Sequence, residues 1–193
     1  MRSVCVYCAS SSPENSAVVD AACELGGLLA ERGLELVYGG GSVGLMGMVA
    51  DTVLAGGGRA TGVIPTALFP VEVAHDGLTE LVEVGSMHER KAEMIRRSDA
   101  FIALPGGFGT LEEIAEVLTW AQIGLHAKPA GFLNVDGFYD SLLAFFDRCV
   151  SDKVLKYRNR RLVLEAPTPA GLLAALTAYE PAYEPKWFDL DQV

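Results

Sequence analysis

An α/β fold, a doubly wound parallel sheet with helices on both faces of a single domain, is predicted by three observations. Short apolar runs alternate with amphipathic segments along almost the whole chain. Two glycine-rich turns, at 39–44 and 105–109, each follow an apolar run and lead into a helical pattern. Half of the 193 residues are hydrophobic, which suits one domain with a sizeable core.

The elements follow in order. Ser3–Cys8 reads as a strand, and Ser16–Arg32 as a helix with Val18, Ala22, Leu25 and Leu29 on one face and Gly33 as its stop. Glu35–Tyr38 is a strand, the glycine loop follows, and Leu45–Ala55 is a helix ending in Gly56-Gly57-Gly58. Pro65 stops the strand Arg59–Ile64, and 66–79 reads as irregular. Glu80–Val84 is a strand, Met87–Ser98 a helix, Ala100–Leu104 a strand and Thr110–Ile123 a helix. Ala130–Leu133 is a strand, Tyr139–Cys149 a helix, Arg161–Glu165 a strand and Pro169–Tyr179 a helix. This alternation gives a Rossmann-like parallel sheet. Right-handed crossovers bring the loops after the strands to one edge, where ligands of such folds bind. Residues 1–180 form the domain, and 181–193 a proline-broken aromatic tail expected to dock on its own or a partner subunit.

The formal charge of −10 and a pI near 4.7 disfavour nucleic acid, whose binding rests on neutralising phosphates with Lys and Arg. A small phosphorylated ligand needs only a local cluster and stays open. No run of about 18 apolar residues exists, so no membrane span is expected, and no signal peptide is read at the start. Cys5 and Cys8 have C-x-x-C spacing but lie in a strand, which points them to opposite faces. Free buried thiols in a reducing cytoplasm are expected. His75, His88 and His126 lack metal-ligand spacing, and no metal is expected.

Pro105-Gly106-Gly107-Phe108-Gly109-Thr110-Leu111-Glu112-Glu113 is the most informative stretch. A glycine-rich turn joins a strand end to a helix start, where free N–H groups and the positive helix dipole favour an anion such as phosphate. Glu113 follows within one helical turn. It has two readings. Thr110-x-x-Glu113 is a capping box, worth about 1 kcal/mol of stability. Alternatively Glu113 stabilises transition-state charge, worth roughly a hundredfold or more in rate.

Gly39-x-Gly41-x-x-Gly44 matches a dinucleotide fingerprint, but it follows the second strand, and no acid ends the next one. A second loop lining the crevice, with Ser42 as a polar contact, is the better functional reading; a tight turn is the other. On the helix after Met87, Arg90 and Lys91 share an arc with Met87 and Met94. They either snorkel to water or face the crevice and meet a carboxylate or a phosphate. Glu72 is an acid in an apolar loop, either a ligand contact or an exposed charge.

Together these residues resemble the Lonely Guy family of cytokinin-activating phosphoribohydrolases. The resemblance runs from Val4 to about Phe146. Its motifs are Pro105–Glu113, the Met87–Met94 helix with its Arg-Lys pair, the Tyr38–Gly47 loop and Thr119–His126. It implies hydrolysis of the N-glycosidic bond of an N6-modified adenosine 5′-monophosphate, without a cofactor, in a homodimer. It implies Arg90 and Glu113 as the catalytic pair. It implies substrate contacts from Glu72, Lys91, Gly107, Phe108, Gly109, Thr110, Leu111, Glu112 and Thr119, to which the second loop adds Gly41 and Ser42. Such proteins are often labelled lysine decarboxylases; no pyridoxal-phosphate lysine motif supports that here. The competing readings are a carrier of a nucleotide or molybdenum-cofactor-type ligand without turnover, a general AMP nucleosidase, and a dehydrogenase.

Overall fold

A computed structural model describes residues 1–68 and 74–181. In chain order the elements are β1 (Ser3–Tyr7), α1 (Ser16–Glu31), β2 (Glu35–Tyr38), α2 (Gly44–Ala55), β3 (Ala60–Pro65), β4 (Glu80–Val84) and α3 (Met87–Arg97). Then come β5 (Ala100–Ala103), α4 (Phe108–Ile123), β6 (Ala130–Leu133), α5 (Asp140–Ser151), α6 (Tyr157–Arg160), β7 (Val163–Ala166) and α7 (Pro169–Thr177). The short α6 and the 3-10 turns at Thr66–Leu68 and Val135–Gly137 are not visible as periodicity, being one turn each.

The seven strands form one sheet in the order β4-β3-β2-β1-β5-β6-β7, every pair parallel. The chain winds outward from β1 to β4, then returns to β5 on the other side of β1. The switch point of the topology therefore lies between β1 and β5, where a doubly wound sheet opens a crevice at its carboxyl edge.

Alternation along β1 divides the core. Val4 and Val6 face one layer with Leu25 and Leu29 of α1, Val49 of α2 and Leu172 of α7. Cys5 and Tyr7 face the other, with Met94 of α3, Ile114 and Val117 of α4 and Leu143 of α5. Cys8 packs against the first layer, so the C-x-x-C cysteines do lie on opposite faces, and all four cysteines are free. Burial pushes the Cys5 and Cys8 thiols well up, which keeps them protonated.

The loop after β2 is set by backbone contact. Gly44 has φ +63°, and a methyl group there would stand 2.3 Å from the Ser10 carbonyl oxygen. Gly44→Ala is expected to cost about 2–4 kcal/mol, because strained φ and a backbone clash coincide. Urea unfolding monitored by circular dichroism checks this. Among the described residues no helix is long and apolar enough to cross a membrane. The tail from 182 onward lies outside the described residues.

Candidate functional site

Both loops at the switch point are tied together. The Ala9 N–H, just after β1, donates to the Pro105 carbonyl, just after β5, at 3.4 Å. Beyond Pro105 the chain turns into α4. The helix starts at Phe108 with Gly107 as its N-cap, and no side chain caps it. This corrects the capping-box reading. With the start two residues early, Thr110 is the third helical residue, not the cap, and it is buried with its hydroxyl packed against Gly106. Gly107, Phe108 and Gly109 are exposed, Phe108 at 94%. A Cβ would meet nothing within 4 Å at Gly107 or Gly109. The turn thus presents open backbone at the positive end of a 16-residue helix, which favours an anion.

Glu113 is half-buried on the second turn of α4. Its helix and α3, which carries Arg90, both pack into the core layer of Cys5 and Tyr7, on the same side of β1. Arg90 comes from α3 and is 5% exposed. Its Nη2 donates to the Gly39 carbonyl at 3.0 Å, and Nη1 lies 3.8 Å from the Met87 sulfur. A methyl group on Gly39 would stand 1.9 Å from Nη2, so this glycine is the seat of the guanidinium. Arg90 therefore faces the crevice at the end of β2 and does not snorkel outward.

Lys91 goes elsewhere. It is 7% exposed, and its ammonium reaches Glu112 at 2.5 Å and Glu116 at 3.2 Å. Burial lowers its pKa, but the hydrogen bonds and charges of the two carboxylates outweigh burial and raise it overall. Arg90 and Lys91, neighbours on α3, thus turn to different places, Arg90 reaching a backbone carbonyl and Lys91 a carboxylate pair. Both are more buried than free cations can be without partners.

Gly41 is buried and Ser42 half-buried in the loop after β2. The Gly41 segment bridges to Ala74, and His75 donates its N–H to the Gly40 carbonyl at 3.0 Å. Leu111 is half-buried beside the second core layer, and Glu112 is exposed on α4. Thr119 is exposed and donates to the Ala115 carbonyl at 2.7 Å. It lies about 16 Å along the helix from Phe108, at 1.5 Å per residue, so the structure does not bring it to the glycine turn. Glu72 lies outside the described residues. No group of three or more His, Cys, Asp or Glu able to hold a metal occurs among the described residues.

A groove of about 550 Å³ lies between α3 and α4, lined by His88, Ala92, Ile95, Glu116, Trp120 and His126. His126 Nε2 meets the Val117 carbonyl at 3.1 Å, and its Nδ1 accepts the Lys128 N–H, which fixes a neutral tautomer. Burial, then Lys128, push its pKa down to about 4. An unfolded histidine titrates near 6.5, so its contribution to stability is full above about pH 6.5 and is lost as pH falls toward 4. Thermal melts from pH 5 to 7 are expected to show the wild type losing stability more steeply than His126→Gln. Parallel curves would refute it.

Gly39 and Tyr139 are the two residues of this region that pattern alone does not single out. Gly39 is one of several glycines in its loop, and its contact with Arg90 spans 51 positions. Tyr139 is one aromatic near a helix start, with no local signal of the contact its hydroxyl makes to the Leu104 carbonyl, 35 positions away.

Known proteins resemble this chain in sequence and in fold. Residues 46–176 match a family model described as "possible lysine decarboxylase". The chain is 54% identical over 183 residues to a cytokinin riboside 5′-monophosphate phosphoribohydrolase of Oryza sativa subsp. japonica, covering 95% of this chain and 76% of the relative. It is 48% identical over 197 residues to one of Arabidopsis thaliana, covering 100% and 91%. Among solved structures, the molybdenum cofactor binding protein from the phototrophic bacterium Rippkaea orientalis superposes with a TM-score of 0.69 at 22% identity, covering 92% of this chain and 97% of that one; the likeness is of fold alone. With half its residues shared over nearly its whole length, the chain belongs to the Lonely Guy family, whose curated plant relatives are named cytokinin riboside 5′-monophosphate phosphoribohydrolases.

Proposed function

We propose that this protein hydrolyses the N-glycosidic bond of N6-modified adenosine 5′-monophosphates, releasing the free base and ribose 5-phosphate. One observation carries the reading: the uncapped start of α4 opens at the β1/β5 switch point with Glu113 one turn further along and Arg90 facing the same crevice.

The exposed backbone of Gly107, Phe108 and Gly109 receives the 5′-phosphate, and Gly41 and Ser42 line the facing wall. Phosphate held there fixes the ribose relative to Glu113. As the bond from ribose C1′ to the base nitrogen breaks, positive charge grows on the ribose. The Glu113 carboxylate stabilises that charge and orients the water whose oxygen bonds to C1′. The electron pair leaves with the base, which ends protonated by the proton from water. Arg90 is electrostatic, since a guanidinium hardly deprotonates at neutral pH. Lys91, paired with Glu112 and Glu116, stiffens the α3–α4 contact beside the site. The protein works as a cytoplasmic homodimer, and light scattering on the purified protein tests its assembly.

Product analysis tests the reaction. The purified protein is incubated with isopentenyladenosine 5′-monophosphate, AMP and the unphosphorylated riboside. Base released from the monophosphates alone is expected, more from the modified nucleotide. Equal release from AMP would make it a general AMP nucleosidase, and none at all would leave a carrier.

A further inference from the structure

We propose that Tyr139 is a positioning residue for the phosphate-holding turn, acting through the Leu104 carbonyl of the peptide group that precedes Pro105. The inference rests on the phosphoribohydrolase reading of that turn.

The Tyr139 hydroxyl donates to the Leu104 carbonyl at 2.6 Å, a buried hydrogen bond. Pro105, the next residue, has no N–H of its own, so the peptide backbone there cannot anchor itself by donating at that position. The next carbonyl, of Pro105, accepts from Ala9 on the opposite side. The carbonyls of Leu104 and Pro105 are thus held from two directions, and the glycine turn opens just beyond them. The base is rigid and the tip is open backbone.

The segment that delivers Tyr139 is built for aim. Asp136 and Gly137 both take positive φ, +50° and +71°, so a non-glycine residue bears strain one turn before the tyrosine. The Asn134 side chain brackets the turn: its Oδ1 accepts the Tyr139 N–H at 2.7 Å, and its Nδ2 donates to Asp140 at 2.8 Å. The ring is 2% exposed and packs edge-on against Phe132 with centroids 4.8 Å apart. Packing alone asks for a phenyl ring. The hydroxyl is explained by the buried Leu104 carbonyl it holds, two residues before Gly106. Burial also pushes its pKa well above the ordinary value, so it remains a donor at every working pH.

Tyr139→Phe keeps the ring and removes the pin. The probe is ribose 5-phosphate, titrated by calorimetry, with KM and kcat measured on AMP and the modified nucleotide. Phe132→Leu, which loosens the same ring cluster away from the turn, is the stability control. Expected for Tyr139→Phe is about tenfold weaker ribose 5-phosphate binding and a matching rise in KM, the size of one lost hydrogen bond. Phe132→Leu is expected to lower the melting temperature at least as much, yet to bind ribose 5-phosphate within about twofold of wild type. Tight binding by Tyr139→Phe overturns the proposal alone, as does an equal affinity loss in Phe132→Leu. A wild-type protein that neither binds ribose 5-phosphate nor releases base overturns the phosphoribohydrolase reading, and the proposal with it.

Discussion

Glu113→Gln is expected to lower the rate of base release by about a hundredfold or more while leaving the melting temperature unchanged within about a degree. The side chain keeps its size, so packing around the half-buried position is preserved. What disappears is the full negative charge, and with it both the stabilisation of a cationic ribose and the ability to take a proton from water. A stability effect through the helix start would arise from two sources, and the structure removes each. Capping is unavailable, because α4 begins at Phe108 and Thr110 stands inside it. The helix dipole favours an acid only within the first turn, and Glu113 is the sixth helical residue. Single-turnover kinetics with isopentenyladenosine 5′-monophosphate, paired with a thermal melt, check both halves. A variant with wild-type rate would end the catalytic assignment of Glu113. One that loses rate and several degrees together would return it to a structural role.

The fold was legible because its periods are unambiguous. Ala100–Ala103 and Ala130–Leu133 are buried strands with apolar residues on both faces, as a parallel sheet covered by helices demands. The glycine turn was legible as geometry, since strand, glycines and helix in that order put open backbone at a helix start. The start of α4 was misplaced for a physical reason. Glycine and phenylalanine are poor reasons to begin a helix, and Thr110 is a good one. Here tertiary contact decided, since Thr110 Oγ1 packs where any side chain on Gly106 would go. Likewise, helical phase placed Arg90 and Lys91 side by side, but not their partners. One took a carbonyl from β2's loop and the other two carboxylates from α4, choices made by chain segments that local pattern does not connect.

That division gives the second large effect. Gly39→Ala is expected to cost at least about tenfold in kcat, with a loss of only about 1–3 kcal/mol in stability. Gly39 does not take positive φ, so alanine suits its backbone. The added methyl group would stand 1.9 Å from Arg90 Nη2 and 3.1 Å from Cζ, atoms at the far end of a long side chain. The chain yields by moving the guanidinium, not the strand. What is lost is the hydrogen bond to the Gly39 carbonyl and, in the proposed reaction, the placement of positive charge beside the ribose. Presence and placement of Arg90 are then separable by a double-mutant cycle. If Gly39 matters through the guanidinium it seats, Gly39→Ala adds almost nothing to the rate loss of Arg90→Ala. If it matters through the loop that lines the phosphate, the two losses multiply. Because the contacts in question lie within one hydrogen bond of each other, strong non-additivity is the expected result, and simple multiplication would remove Gly39 from the account of how Arg90 is held.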